Sequence, residues 1–462
     1  MRTHHTMFAL FATLLSAAPV MAQPANRSPS DTISKPAAVK TDSAAVTTPE
    51  GASLVPPSVI QHIRLQDKRG LNTFEAPKDD GVPFKGFQLS FGAAFTQQFQ
   101  GLSHENTAAP KVVSGVDQNQ LISIGNGFNN ATANLYLNAQ LAKGIRVALT
   151  SYLSSRHHNE TWVKDGYLLI DDTPINVKAL ETLMDYVTLK LGHFEINYGD
   201  SHFRRSDNGN AMFNPFVGNL ILDPFTTEVG GEVYLRAKGL IGMVGITGGE
   251  VRGQVTAPEK RSPAFYGKLG VDRQVTQNLR LRLTGSLFSQ TRSANQTLYS
   301  GDRAGSRYYS VVENTTATES AQKSSGMFDP GFKSAVHSYQ INPFIKYRGL
   351  ELFGVAEKAS GAAATEVGKR DFDQYAADVV YRFLPSEKAY VGARYNEVTG
   401  RFAGFTSDAG AQRTAFSGGW FITPVLLLKG EWVNQKYTDF PTTDIRNGAK
   451  FKGFVMEGVV AF

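Results

Sequence analysis

From residue 87 to the end of the chain, apolar and polar residues alternate. In GFQLSFGAAFTQQF (86–99), Phe87, Leu89 and Phe91 fall in one phase, and Gln88 and Ser90 fall in the other. The same alternation returns in TANLYLNAQL and in the segment after it. Successive side chains of a β-strand point to opposite faces, so this period gives each strand one apolar and one polar face. The pattern predicts an all-β chain.

Soluble β-sandwiches show this alternation too, but three further features favour a membrane-spanning barrel. The segments are about ten residues long, the length that crosses a bilayer at a tilt. Short turns, such as 142–144 and 238–239, alternate with long polar loops near 101–131, 197–226 and 291–335. Aromatic residues flank the apolar stripes, as in the interfacial girdles of such barrels; examples are Tyr375, Tyr381, Phe383, Tyr395 and Trp432.

The segments predict a transmembrane antiparallel β-barrel of about sixteen strands over residues 86–462. An even number with both chain ends in the periplasm is what single-chain bacterial barrels require, and sixteen strands leave an aqueous lumen. The phase is ambiguous at 240–249 and 350–359, where both faces are partly apolar. The predicted strands lie near 87–98, 132–141, 145–154, 161–171, 184–194, 228–237, 240–249, 263–274, 278–290, 336–347, 350–359, 372–383, 388–397, 412–422, 425–435 and 451–462.

Two N-terminal regions precede the predicted barrel. A short apolar run at 7–20, followed by Val20-Met21-Ala22, predicts a secretory signal peptide over residues 1–22. Residues 23–85 are rich in Pro, Ala, Ser and Thr, a composition that cannot bury enough apolar surface to fold. We therefore predict a flexible periplasmic segment there. Its less polar end, SVIQHIRLQDKRGLNTFE (58–75), is the part able to dock on another surface.

The absence of cysteine excludes several classes of protein. The chain has 462 residues and no Cys, so it is neither a disulfide scaffold nor an enzyme with a thiolate nucleophile. After the predicted signal peptide, no apolar run has the roughly eighteen residues that a transmembrane helix needs. Export without cysteine or membrane helices agrees with the barrel prediction.

Cations outnumber acids among the predicted inward positions. A lumen with surplus positive charge concentrates anions, and this favours anion passage. Pairing with acids on neighbouring strands would reduce that preference, and lipopolysaccharide phosphates are an alternative partner for a basic chain. The acids are Glu228, Glu232, Asp272, Asp378, Glu431 and Glu457. The principal cations are Arg146, Lys190, Arg236, Arg280, Arg282, Lys346, Arg382, Arg394 and Lys429.

The stretch GHFEINYGDSHFRRSDNGN (192–210) combines a Gly-aromatic pattern with a cluster of charges. Gly192, Phe194, Tyr198 and Gly199 match a pattern at a strand end, so the stretch resembles the strand-to-loop junction of the phosphate-selective porin O and P family. The family's arginine ladder and lysine cluster have no residue-by-residue match. The resemblance implies that the third external loop folds into the barrel and narrows it. A constriction would then hold Asp200, His202, Arg204, Arg205 and Asp207.

The same charged residues allow a simpler interpretation. Arg204 and Arg205 would pair with Asp200 and Asp207 and hold the loop in place, without contacting a solute. The two interpretations are compatible. Phe203, Phe213 and Phe216 are expected to pack this loop against the wall.

The sequence does not predict an enzyme, a cofactor or a metal. His157, His158 and Glu160 lie in the second external loop, but their spacing matches no His-Glu-x-x-His motif and a third ligand is missing. Phosphate-binding, dinucleotide-binding and nucleic-acid motifs are absent as well. The polar loop reading is therefore favoured over a metal site.

The favoured function is a porin in the outer membrane of a Gram-negative bacterium, passing small hydrophilic solutes through a water-filled channel with a preference for anions. The alternatives are a channel specific for phosphate or a sugar, and a closed structural or adhesive barrel whose long fifth external loop, 291–335, binds partners. Expected partners are outer-membrane lipid and lipopolysaccharide, and the barrel-assembly machinery through the terminal Phe462. A homotrimer is one expected assembly; nucleic acid is not an expected partner.

Overall fold

Sixteen strands close into an antiparallel barrel in the computed structural model, as the alternation predicts. The structure describes residues 60–76, 78, 81–156, 160–173, 175–249, 253–302 and 304–462. Each strand pairs with its neighbours in the chain, and the first strand pairs with the last from Ala94↔Ala461 to Glu105↔Lys450. Closure leaves no open sheet edge, so the backbone hydrogen bonds of the wall are satisfied within the protein. The predicted signal peptide lies outside the described residues.

The observed strands overlap all sixteen predicted segments, and several run further at the end with the long loops. The strand β1, for example, reaches Glu105 where the sequence predicts an end near residue 98. The sequence does not predict the helix α1 (Lys178–Met184), which precedes the strand that begins at Val187. The strands are β1 Gln88–Glu105, β2 Gly127–Ala142, β3 Ile145–Ser154, β4 Trp162–Ile170, β5 Val187–Glu195, β6 Thr227–Ala237, β7 Leu240–Thr247, β8 Ala264–Thr276, β9 Leu279–Gln290, β10 Ala335–Tyr347, β11 Leu350–Ala362, β12 Arg370–Phe383, β13 Ala389–Gly400, β14 Ala409–Thr423, β15 Leu426–Thr438 and β16 Lys450–Ala461.

The two faces of the wall reverse the burial expected of a soluble protein. Phe91 and Leu269 are 75% and 73% exposed on the outside, whereas Lys268 and Glu351 are 1% and 0% exposed on the inside. An apolar exterior around a polar interior is the arrangement that lipid requires of a barrel. Within the described ranges, no helix has the length and hydropathy needed to cross a bilayer.

The connections differ between the two ends of the barrel. One end, the turn end, carries short connections such as 238–239 and 424–425, together with the longer one that contains α1. The other end, the loop end, carries the long loops. Four of these are used below: L3 (196–226), L4 (248–263), L5 (291–334) and L7 (401–408).

The last part of the predicted flexible segment lies inside the barrel. Residues 60–76 and Lys78, here called the plug, contact the lumen wall from the turn end. The backbone N–H of Lys68 donates to Pro424 O at 3.0 Å, and Phe74 is 2% exposed. The less polar end of the segment, predicted as the part able to dock, thus packs on the inner wall of the barrel, a surface that local composition does not reveal.

Candidate functional site

The loop L3 folds inward and crosses the lumen, as the resemblance of its first residues to the porin O and P family implies. Near its middle, Gly209 O accepts a hydrogen bond of 2.8 Å from Thr96 Oγ1 on β1. Further along, the backbone N–H of Val217 donates to Glu431 on β15 and that of Ile221 donates to Asn396 on β13, at 2.8 and 2.7 Å. The loop is thus attached to walls on both sides of the barrel interior.

The Gly-aromatic stretch is where the chain turns into the lumen. Gly199 has φ +70°, a left-handed conformation that favours glycine. A Cβ at this position would lie 1.9 Å from Gln340 Oε1, so a side chain has no room. Tyr198 is 1% exposed and its hydroxyl donates to Glu357 at 3.1 Å. The stretch therefore ends β5 and directs L3 inward.

Asp200 is the acidic centre of one side of the lumen. Its carboxylate accepts from Lys268 at 2.9 Å, from Arg282 at 2.8 Å and from Thr284 at 2.7 Å. Burial alone would raise the pKa of Asp200, but Lys268 and Arg282 hold it well below its usual range. Asp200 stays ionised and ties L3 to β8 and β9.

Arg204 and Arg205 point to different parts of the lumen. The Arg204 guanidinium lies 3.3 Å from Glu351 on β11 and also contacts Asn72 of the plug. Arg205 lies 2.8 Å from Asp223, 2.7 Å from Asp302 of L5 and 3.4 Å from Asp207.

The predicted partnership with L3 carboxylates thus holds for Arg205 and Asp207. The same prediction is wrong for Arg204, whose carboxylate partner is on the barrel wall. The sequence does not locate this partner because Glu351 is 147 residues away along the chain.

His202 and Asp207 meet on the side of L3 that faces β4 and β5. Lys164 on β4 donates to Glu195 at 2.6 Å and to Asp207 at 2.8 Å. His202 lies between Glu195 and Asn197, with ring nitrogens 3.1 and 3.0 Å from their oxygens. Burial lowers the pKa of His202, so a neutral ring is favoured.

A cavity of about 260 Å³ lies between the plug, L3 and the wall from β2 to β6. His202, Arg205 and Asp207 line it, whereas Asp200 and Arg204 do not. The five residues predicted to form one constriction therefore separate: three border the cavity and two bind the wall. Aromatic and basic residues of the wall complete the lining; they include Tyr136, Tyr167, Tyr234, Arg146, Lys190 and Arg236.

The nine predicted lumen cations all have partners inside the barrel, and each pairs with at least one carboxylate. Arg394 lies 2.7 Å from Asp378, and Arg382 lies 2.7 Å from Glu351. Lys429 donates to three carbonyl oxygens of L3 and lies 3.0 Å from Glu457. The others have these acidic partners: Arg146 and Arg236 with Asp171, Lys190 with Glu232, Arg280 and Arg282 with Asp272, and Lys346 with Glu351 and Glu387.

These ion pairs weaken the expectation that surplus positive charge in the lumen favours anions. The surplus of inward cations is offset locally, so most of them present no bare charge to a solute. Arg64 of the plug is different, because no carboxylate of the described residues forms an ion pair with it. Its guanidinium donates to Gly70 O and Phe203 O at 3.1 and 3.0 Å and lies 3.7 Å from the centre of the Phe213 ring.

Arg64 also lines the cavity, and burial lowers its pKa to about 9. It therefore keeps a positive charge at neutral pH. Arg64 was not among the predicted site residues, because residues 23–85 were predicted to be flexible and their less polar end only to dock on an unspecified surface. The apolar residues of the stretch 58–75 were the available signal.

L5 also enters the lumen, which the sequence does not predict. Arg307 forms an ion pair with Glu457 on β16, and Tyr299 donates to Glu357 on β11 at 2.5 Å. Tyr308 is 1% exposed. The tyrosines of this loop were the available signal, since buried tyrosine hydroxyls find hydrogen-bond partners. With L3, L5 and the plug inside, the barrel interior is narrower than the open lumen expected for sixteen strands.

The phenylalanines of L3 pack against two different surfaces. Phe216 is fully buried, with Arg394 of the wall 4.2 Å from its ring centre. Phe203 instead meets Phe74 of the plug, with ring centroids 5.7 Å apart. The candidate metal ligands His157 and His158 lie outside the described residues. Glu160 is the first described residue after them.

Three solved outer-membrane proteins are similar to this chain at low identity. OmpT of Vibrio cholerae in its trimer form is 10% identical with a TM-score of 0.48, covering 82% of this chain and 100% of that one. The anion-selective porin from Comamonas acidovorans is 10% identical with a TM-score of 0.48, covering 81% and 100%. OprB of Pseudomonas putida is 11% identical with a TM-score of 0.47, covering 82% and 94%.

No family model and no curated protein matches the chain. The likeness to the phosphate-selective porin O and P family therefore stays a resemblance of one short motif. The fold described above rests on the strand pairing of the chain itself.

Proposed function

We propose that this protein is a channel in the outer membrane of a Gram-negative bacterium, through which small hydrophilic solutes diffuse passively, anions in preference to cations. The observation that carries this proposal is the cavity beside L3, enclosed in a barrel with an apolar exterior. A closed barrel of sixteen strands is wide enough to hold an aqueous path, unlike an eight-stranded one.

The preference for anions rests on Arg64. Ion pairs satisfy most wall cations and screen their charge from a passing solute. A guanidinium without a carboxylate partner keeps its field, and a narrow, low-dielectric passage strengthens that field. The planar fork of arginine also matches carboxylate and phosphate oxygens.

A channel specific for one class of small solute is the second candidate, favoured by the narrow interior. The cavity is lined by tyrosines and by charged groups in fixed positions, including Lys164 and His202. Fixed polar groups around an enclosed space are typical of a site that recognises a particular solute. Sub-millimolar solute would then block ionic current.

The proposed partners follow from the same arrangement. The exposed apolar band would face lipid, with lipopolysaccharide on the outer leaflet, or a second copy of the chain in a homotrimer. Phe462 is 53% exposed at the end of β16, where its backbone pairs with Ala93. An exposed aromatic side chain at this place suits recognition by the barrel-assembly machinery.

Single-channel recording in a planar bilayer, with a salt gradient across it, tests the proposal. We expect stepwise ohmic conductance and a reversal potential on the anion side. Absence of conductance from protein whose folded state is verified by electrophoretic mobility would reject the channel. It would favour a closed structural barrel with L5 as its interaction surface.

Arg64→Gln should lower the ratio of anion to cation permeability by a factor of about two or more, because it removes the unpaired charge of the cavity. The reversal potential under the same salt gradient measures this ratio. The matched control is Lys388→Gln, which removes one positive charge from an exposed position at the turn end. An Arg64→Gln reversal potential equal to that of the control would contradict the role of Arg64.

A further inference from the structure

The plug fills the turn end of the lumen through contacts with both the wall and L3. Its Glu75 carboxylate lies 2.8 Å from Arg282 on β9 and 3.5 Å from Lys268 on β8. Burial alone would raise the pKa of Glu75, but these two cations lower it to about 2. Glu75 is therefore charged across the physiological range of pH and anchors the plug electrostatically.

Aromatic and amide contacts add to this anchor. Phe74 lies between Phe203 of L3 and Phe344 of β10, with ring centroids 5.7 and 5.2 Å away. Asn72 contacts Glu351 on β11 and accepts from Arg204. The inner face of β8 to β11 is thus a binding site for one short peptide, Asn72-Thr73-Phe74-Glu75.

The charges of the wall keep partners of their own when the plug is absent. Arg282 pairs with Asp200 at 2.8 Å and with Asp272 at 3.1 Å, and Lys268 pairs with Asp200 at 2.9 Å. Glu351 retains Arg382 at 2.7 Å. Removing the plug therefore leaves none of these three wall charges without a partner, so its departure avoids the main penalty of breaking a buried ion pair.

The connection between the plug and β1 is suited to movement. Most of residues 81–87 are exposed, and Val82 O accepts a hydrogen bond of 2.8 Å from Gln61 Nε2 of the plug itself. Gly81 and Gly86 both have a left-handed φ, +67° and +87°, and a Cβ at either would meet nothing within 4 Å. Loop L3 has no such freedom, because strands β5 and β6 hold both of its ends.

We propose that the plug is displaceable. In place, the plug limits the lumen to the cavity beside Arg64; when it withdraws on the linker 81–87, a wider path opens. The two resulting conductance states rest on the proposed channel function, whereas the binding of the plug does not.

Labelling of a single cysteine tests the position of the plug without any current. The chain has no cysteine, so Thr73→Cys introduces the one thiol. We expect a polymer-coupled maleimide, too large to enter the barrel, to modify it at least about tenfold more slowly than Thr256→Cys, which is exposed in L4. Equal rates would overturn the proposal.

A charge reversal then tests displacement. Glu75→Lys places a cation against Lys268 and Arg282, so in this background Thr73→Cys should react at the rate of the exposed reporter. Glu259→Lys, an equal change of charge at an exposed site in L4, should leave Thr73→Cys protected. Continued protection with Glu75→Lys would overturn the electrostatic anchor and the proposed displacement.

Single-channel recording completes the test. We expect a lower and a higher conductance level in the full chain. The variant lacking residues 60–78 should show the higher level alone, and a synthetic peptide of that sequence, added at the turn end, should reduce it. Equal, non-zero conductance of the full chain and of the variant lacking residues 60–78 would contradict the displaceable plug and leave the proposed channel standing. No conductance from any folded variant contradicts the channel.

Discussion

Replacing Arg205 with methionine is expected to lower the free energy of unfolding by about 3–5 kcal/mol. The guanidinium lies within 3.4 Å of Asp207, Asp223 and Asp302, and its side chain is 2% exposed. Methionine keeps the apolar stem but leaves these three carboxylates buried without their shared cation. Urea unfolding of the folded barrel in detergent micelles measures the loss.

The loss should depend on pH in a defined direction. Burial already raises the pKa of Asp223, and removal of Arg205 raises it further. A carboxyl group whose pKa is raised in the folded state binds more protons there than in the unfolded state. Stability therefore falls as pH rises through the folded pKa. The deficit of the variant should be larger at about pH 8 than at about pH 5.

Arg401→Met in L7 is the matched control, because it breaks an exposed ion pair with Asp408 whose side chains are 49% and 52% exposed. Exposed pairs contribute about 0–1 kcal/mol. If Arg205→Met and Arg401→Met lower stability equally, the three-acid cluster does not hold L3 and L5 together.

Replacing Lys429 with methionine is expected to cost a similar amount, about 3–5 kcal/mol, and to release the middle of L3. The ammonium group donates to Ala211 O, Asn214 O and Phe216 O at 2.9, 3.0 and 2.7 Å and lies 3.0 Å from Glu457. Without it, three buried carbonyl groups lose a charged donor. Urea unfolding gives the stability, and the rate of protease cleavage within L3 reports the release.

Lys436→Met provides the control on the same strand. Lys436 is exposed on the outer face of β15, so the substitution should change stability by less than about 0.5 kcal/mol. Slow cleavage of L3 in Lys429→Met, equal to that in the control, would show that the other contacts of L3 suffice to hold it.

The barrel wall was predictable because its signal is local. Alternation predicts a strand, so all sixteen strands were located. The apolar face of each strand predicts the side that meets lipid. The ambiguous phase of the segment 350–359 has a structural explanation. Phe353 and Val355 on β11 face inward and pack with Phe74 and Leu220. This inner face is partly apolar because plug and loop residues pack against it. An open, water-filled pore would not require apolar residues there.

The candidate site was predictable only as a set of residues. The resemblance implied an inward L3, and the charges of 200–207 all lie on it. Their partners, however, are distant in the chain: Arg204 is 147 residues from Glu351, and Asp200 is 82 residues from Arg282. The spacing of residues within a loop does not contain this information. The residues predicted to form one constriction therefore divide between contacts with the wall and the lining of a cavity.

The sequence by itself determined the number of strands, their order around the barrel and, where the alternation is clear, the face of each side chain, because the period of a strand is a property of the backbone. The tertiary structure alone decided which cation meets which acid, how far L5 enters, and that the plug occupies the lumen. These depend on the path of connecting segments through a closed space, where contacts such as Lys429 with Ala211 join residues 218 positions apart.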